Sequence, residues 1–413
     1  MSLNRSPEPS SHGGFPSGRV EVTDFEGMQD LFARYADCLP PSKKEATPAC
    51  GRKTIAIIGS TGFLGPYIVA SLLKLHTESR VFCLNRSADG GQRTVSALEH
   101  ATSSDISTGL PRLRFLVADV TKPDFGLDTE QAARLASEVD ELVFNTWDTN
   151  WSKSLAHFEP FLRAVRNAID FCTSASKRPR ITFVSSICSV GDWPLVHPAR
   201  PRVPEEAAWD NRSAMPHGYG ESKCVAEQLL AKAQEASGLH VNIVRAGQIG
   251  GPSRSGLRMW PRQGWVYSIL KASKRLGYFP MHIQALDWIP VDAFAEGIAN
   301  STNRLPKSKM VEVFNMFHPE PAPWNALYET LQRRFRLSLK TTSLSDWLDR
   351  VDGGKLKLHG FLRALGNGRE YNMSFRNERA MEALPRVVPI SEDLLAEWLQ
   401  GWELGLHDLK AKI

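Results

Sequence analysis

A tyrosine and a lysine four residues apart, Tyr219 and Lys223 in HGYGESKCVAEQ, are the pair in this chain best suited to move a proton. At the start of a helix that spacing puts both side chains on one face, a single turn apart. A phenol, with a reference pKa of about 10, is a poor acid or base at neutral pH. A nearby ammonium stabilises the phenolate and moves that pKa toward the working range, each unit being worth about 1.4 kcal/mol. Tyrosine and lysine also stand four apart on many helices for no chemical reason, so the pair needs company.

The company comes from two other stretches. ITFVSSICSVGDWP sets Ser185, Ser186 and Ser189 at or just past the end of an apolar run, Ser186 lying 33 residues before Tyr219. The carboxyl end of a strand is where open parallel sheets bind ligands. Upstream, IIGSTGFLG (Gly59, Ser60, Thr61, Gly62, Phe63, Leu64, Gly65) follows a strand-like run and opens a helix-like one. Its three glycines allow a tight turn, close approach of a pyrophosphate and close helix packing, with helix N-terminal amides facing the anion. The spacing is G-x-x-G-x-x-G, so position between strand and helix carries the argument more than the glycines do.

The next strand decides the nucleotide. An acid about 20 residues on would hydrogen-bond a ribose 2′-hydroxyl. Here the strand ends VFCLNRS, with Asn85 and Arg86 and no carboxylate, which suits a 2′-phosphate and hence NADPH. Arg93 is a second anchor or an ordinary solvated arginine. Asp119, with Val120 in FLVADV, reaches the adenine or caps a turn.

These residues need a scaffold, and the hydrophobic pattern supplies one. TIAII, RVFCL, LRFLVA, ELVFN, ITFVSS and VNIVRA are short apolar runs, with helical stretches at 62–75, 128–139, 157–175 and 218–236 between them. That alternation predicts an α/β fold: a Rossmann-like, doubly wound parallel sheet. Three regions are expected: residues 1–50 as a disordered leader, a short helix at 26–39 and a linker; 51–252 as the NADPH-binding domain; and 253–413 as a smaller, mostly helical substrate lobe, with 283–298 returning to the first domain. The alternation ends near residue 252, and helical segments follow at 262–275, 322–334 and 393–409.

Composition narrows the classes. The charged fraction is 23% and the hydrophobic fraction 42%, ordinary for a globular protein, and no apolar run is long enough to span a bilayer. Six cysteines with no C-x-x-C pair read as buried thiols in a reducing compartment, so a cytoplasmic protein without a metal site is expected. A net charge of +5 without a basic-aromatic motif gives no reason to expect nucleic acid.

Taken together, the glycine turn, the serine segment and Y-x-x-x-K resemble the short-chain dehydrogenase/reductase superfamily in its extended form. More narrowly, residues 26–410 resemble the thioester reductase domains that end fungal synthetase-like enzymes and carboxylic acid reductases. The matching stretches are GSTGFLGPYIVASLL, CLNRS, ELVFNTWDTNWSKSLAHFEPFLRAVRNAIDFC, SSICSVGDWP, GYGESKCVAEQLL, VRAGQIGGP and LDWIPVDAFAEGI. The resemblance implies that Ser186 polarises a substrate carbonyl, Tyr219 donates the proton, and Lys223 holds the nicotinamide ribose while tuning Tyr219. Ser185 and Ser189 remain alternatives to Ser186. Asn145 and Thr146, with Gly247 and Gln248, would line the nicotinamide side. The implied reaction is NADPH-dependent reduction of an acyl thioester, borne on the phosphopantetheine of a carrier protein, to an aldehyde, with a second reduction to an alcohol as the alternative end point.

Such reductases follow adenylation and carrier domains, and neither is found in this sequence, nor is a D-S-L attachment motif. The expectation is a reductase working in trans or excised from a larger synthetase. Rival readings keep the fold: a reductase, dehydratase or epimerase acting on a free small molecule, or a non-catalytic NADP(H) sensor, for which a retained Tyr219 and Lys223 would be needless. From Ser253 to Leu286 there is no acid, while Arg254, Arg258, Arg262, Lys271, Lys274 and Arg275 are basic, which makes that segment a docking candidate for an acidic carrier or a plain solvated face. Trp147, Trp151, Trp260 and Trp265 are candidates for an acyl pocket or for core packing. His197 and His217 are expected to be structural.

Overall fold

The computed structural model describes residues 23–41, 53–102, 106–254, 260–304, 311–351 and 374–402, with the single positions 362 and 404. The leader, linker residues 42–52, Arg258 and the chain beyond 404 lie outside the described residues. Six strands come from the six apolar runs: β1 (Thr54–Ile58), β2 (Arg80–Asn85), β3 (Leu113–Val117), β4 (Glu141–Phe144), β5 (Arg180–Ser186) and β6 (Val241–Ala246). A short pair, β7 (Tyr278–Pro280) with β9 (Lys340–Thr342), stands apart, and β8 (Glu312–Met316) rejoins the main sheet. The order of that seven-stranded parallel sheet is β3-β2-β1-β4-β5-β6-β8.

The order reverses between β1 and β4, which opens a crevice at their carboxyl ends. β8 is a correction to the alternation read from sequence, which ended at 252. Its Asn315 breaks the apolar pattern because the buried amide donates to the backbone carbonyl of Arg376 at 2.8 Å.

Strands buried on both faces need two layers of helix. On β1, Ile55 and Ile57 face one core and Ala56 and Ile58 the other. The second core contains α4 (Thr129–Glu138), α5 (Glu159–Ser174) and α7 (Gly218–Ser237), with α1 (Phe25–Ala36) packed outside them through Met28, Leu31 and Tyr35. The first contains α2 (Gly65–Leu75), α3 (Gly90–Glu99) and α9 (Val291–Asn303). Two side chains pin α1: Glu221 of α7 accepts from the Asp24 amide at 3.0 Å, and Arg166 of α5 donates to the carbonyls of Tyr35, Asp37 and Cys38 at 2.8, 2.6 and 3.1 Å.

A separate apolar cluster gathers Trp260, Trp288, Trp324, Trp347, Trp398 and Trp402 around α8 (Gly264–Leu276), α10 (Asn325–Arg333) and α11 (Leu344–Arg350). Trp260 stacks on Trp402 with centroids 4.7 Å apart, so it is core and not pocket lining. This cluster meets the sheet at Gly250 and Gly251, just after β6. A Cβ at either would stand 2.5 or 2.4 Å from the Trp398 ring, whose Nε1 donates to the Pro252 carbonyl at 2.8 Å. Among the described residues no helix is long and apolar enough to cross a membrane.

Candidate active site

The glycine turn forms as its residue types require. Gly59 has φ +89°, and a Cβ there would lie 2.0 Å from the Asn145 carbonyl, so only glycine fits between β1 and β4. Gly65 lies against the Gly59 carbonyl, where a Cβ would come within 2.3 Å. A Cβ on exposed Gly62 would meet only the Gly59 carbonyl, at 3.9 Å, so that face is open for a ligand's phosphates. Asn145 closes the turn from the far side, its amide donating to the Gly59 carbonyl at 3.2 Å. Thr61 and Phe63 are partly exposed beside Gly62, Leu64 is buried, and Thr146 follows Asn145 at the mouth of the crevice.

Two of the expected cofactor residues turn inward. The Ser60 hydroxyl donates to Asn85 Oδ1 at 3.0 Å and lies 2.9 Å from the Thr94 hydroxyl, all three being buried. They join the turn to β2 and α3. Arg86 and Arg93 are exposed, Arg86 at the end of β2 and Arg93 in the first turn of α3. Asp119 accepts from the Thr121 amide at 3.1 Å and hydroxyl at 2.7 Å, and these bonds, the hydroxyl's foremost, hold its carboxyl below the usual range. It is a turn aspartate in this structure, with Arg86 contributing to its field. The Val120 carbonyl accepts from Asn167 at 3.0 Å. Gly247 and Gln248 follow β6; the Gln248 side-chain Oε1 accepts from Trp265 Nε1 at 2.8 Å, which ties this wall to the tryptophan cluster.

Across the crevice, α7 begins at His217, whose Nδ1 accepts from the Gly220 amide at 3.0 Å as an N-cap. That bond fixes the neutral tautomer, with the proton on Nε2. Burial pushes the imidazole down to about 4. The ring stacks on Trp151 with centroids 4.6 Å apart, and Tyr219 lies 6.1 Å from both in a near-parallel plane. His217 thus caps α7, and Trp151 borders the phenol. His197 lies elsewhere, packed on Trp193 of α6 (Trp193–Val196).

Tyr219 is buried against Phe158, Cys188 and Met215, with the Ser186 hydroxyl in hydrogen-bonding reach. Lys223 is 3% exposed; its Nζ donates to the Val184 carbonyl at 2.7 Å and sits 4.0 Å from the Trp147 ring centroid and 4.5 Å from that of Phe183. The expected downward pull on the phenol is not what this geometry produces. Desolvation pushes Tyr219 up, with only the Ser186 hydrogen bond opposing it, and desolvation holds Lys223 well below the usual lysine range. The phenol is thus protonated at neutral pH and carries the proton it would have to give up.

The three serines are held differently. Ser185 and Ser189 both donate to Glu227 Oε1, at 2.5 and 2.6 Å, and are buried away from the crevice. Ser186 alone stays beside Tyr219, its hydroxyl accepting from the Cys188 amide at 3.2 Å. Sequence reasoning missed Glu227 and its partner Arg245, although Glu227 continues the i, i+4, i+8 series that Tyr219 and Lys223 begin.

A parallel sheet with this strand order, a glycine turn at its switch point and Ser, Tyr and Lys gathered on the neighbouring strand and helix define an extended short-chain dehydrogenase/reductase fold. The chain belongs to the male sterility protein family, which matches residues 57–298. It is 30% identical over 400 residues to a carboxylic acid reductase of Neurospora crassa, covering 91% of this chain and 37% of that relative. An adenylate-forming reductase of Heterobasidion annosum is 28% identical, covering 78% of this chain and 29% of its own length. The chain thus spans about a third of these relatives. Among solved structures, the terminal R domain of the myxalamid PKS-NRPS pathway superposes with TM-score 0.72 at 22% identity, covering 91% of this chain and 97% of that one. A thiolation-reductase di-domain from an archaeal non-ribosomal peptide synthetase gives 0.69 at 17% identity, covering 92% and 81%.

Proposed function

We propose that this protein reduces an acyl thioester, carried on the phosphopantetheine arm of a carrier protein, to an aldehyde and free thiol with NADPH. The single observation that carries this reading is the gathering of Ser186, Tyr219 and Lys223 at the carboxyl end of β5, in the same sheet whose β1 ends in the glycine turn. The relatives are named as carboxylic acid and adenylate-forming reductases, and that supports the thioester as the substrate class.

The open face of Gly62 and the exposed Arg86 and Arg93 fit a dinucleotide with a 2′-phosphate, since no carboxylate stands at the end of β2. When bound there, NADPH supplies a hydride. Tyr219 and Ser186 then hydrogen-bond the thioester oxygen as it gains charge, the kind of stabilisation that dominates acyl chemistry. Tyr219 delivers its proton to that oxygen, and Lys223, one turn along, balances the phenolate left behind. The resulting hemithioacetal loses its thiol as the C–S bond breaks and the C=O bond re-forms. The half-buried Trp147 and Trp151 shield the phenol from water.

Carrier docking falls to the basic segment, where Arg262, Lys271 and Arg275 are exposed, the Arg262 guanidinium 4.9 Å from the Tyr267 ring centroid. An acidic carrier bearing a phosphodiester suits that surface.

The test is NADPH oxidation by the purified protein with a panel of carrier-loaded acyl thioesters, with products identified by mass spectrometry. Aldehyde or alcohol is the expected product. Tyr219→Phe should lower turnover by about 10²–10⁴-fold while NADPH still binds. Turnover confined to free ketones or sugars, or full activity in Tyr219→Phe, overturns the reading.

A further inference from the structure

Behind the serine segment lies a polar cluster that contacts neither crevice nor solvent. Glu227 is 1% exposed and Arg245 is fully buried. The guanidinium grips both carboxylate oxygens, Nε at 3.2 and 3.1 Å and Nη2 at 2.7 Å, and also donates to the Pro204 and Glu206 carbonyls at 3.2 and 3.0 Å. The same carboxylate takes the hydroxyl protons of Ser185 and Ser189, the residues on either side of the turn that carries Ser186. Ser189 in addition shares its hydroxyl with the Ser186 carbonyl at 2.7 Å.

We infer that Glu227 is a positioning residue for the reduction: it locks the Ser186 turn of β5 to the helix that bears Tyr219 and Lys223. The inference rests on the proposed Ser186–Tyr219–Lys223 reading and deepens it. Three geometric facts converge. Tyr219, Lys223 and Glu227 occupy i, i+4 and i+8 of α7, so all three point along one helix face toward β5. Glu227 Oε1 removes two competing hydroxyls, which leaves the Ser186 hydroxyl as the one directed to a substrate oxygen. Arg245 lies in β6 and anchors the carboxylate from the neighbouring strand, so the turn is held from α7 and β6 together. Placement of an oxyanion donor to within about half an ångström is what such a clamp secures. The carboxylate lies one turn from Lys223, and its charge favours the ammonium form there.

Removing Glu227 outright strands a buried guanidinium, so the decisive variant leaves the ion pair alone. Ser185→Ala/Ser189→Ala deletes the two bonds to the carboxylate together with the Ser189 bond to the Ser186 carbonyl, and leaves the Glu227–Arg245 pair intact. It should lower kcat about 10- to 100-fold while the NADPH Kd, measured by cofactor fluorescence, and the thioester KM stay within about 3-fold. Glu227→Asp should retain more activity than Glu227→Gln, and Glu227→Gln should move the alkaline limb of the kcat profile to lower pH, because Lys223 loses a partner. A merely structural cluster would weaken cofactor binding, KM and kcat together. Tyr219→Phe, run in parallel, separates the two levels of the argument. An inactive Tyr219→Phe beside a fully active double alanine variant overturns the clamp alone, whereas an active Tyr219→Phe overturns the reading beneath it.

Discussion

At the scale of single residues, burial governs the chemistry more than pairing does. Tyr219 and Lys223 are each pushed toward their neutral forms by desolvation, and the sequence, which shows spacing but not solvent, pointed the phenol in the opposite direction. His217 obeys the same rule with a readable consequence. Its folded pKa of about 4 lies below the ordinary 6.5, so beneath pH 6.5 the unfolded chain takes up a proton that the folded imidazole refuses. Stability is therefore lost as pH falls from about 6.5 to about 4, by at most about 3.5 kcal/mol. His217→Asn keeps an N-cap acceptor and should flatten that slope, read as the urea midpoint of variant and parent across the range. Equal slopes in both proteins would refute the assignment.

At the scale of elements, the turn between β1 and α2 separates glycines that shape the chain from one that faces a ligand. Gly59→Ala, with φ +89° and a Cβ 2.0 Å from the Asn145 carbonyl, should destabilise the fold by more than about 2 kcal/mol. Gly62→Ala should keep the parent's denaturation midpoint yet weaken NADPH at least about 10-fold, since its added methyl enters open space. Calorimetry of binding and of unfolding on both variants checks the contrast. The six strands up to β6 were legible because each is a short apolar run bounded by turn residues. β8 was not, because Asn315 in its middle serves a neighbour's carbonyl instead of the apolar layer. The hold on Ser185 and Ser189 was equally out of reach, for the carboxylate that accepts from them is 42 and 38 residues away.

At the scale of the whole molecule, the fold was foreshadowed by the alternation of apolar runs and the family by resemblance, whereas the inward turn of Ser60 and Asn85 shows only in three dimensions. Those residue types read the same on either side of a strand's end. The carrier surface is tested at this scale. Lys271→Glu/Arg275→Glu should slow turnover of a carrier-bound thioester about 10-fold or more and leave a small soluble thioester within about 2-fold, the difference shrinking as salt rises. Equal slowing of both substrates would remove that face from consideration. The paired glycines beneath Trp398 bear on any attempt to exchange specificity between relatives. A graft that imports the tryptophan cluster but keeps a recipient loop with side chains at 250 and 251 would lift the imported half off its seat, so chimeras need their crossover upstream of Gly250, where host and graft bring one matched joint.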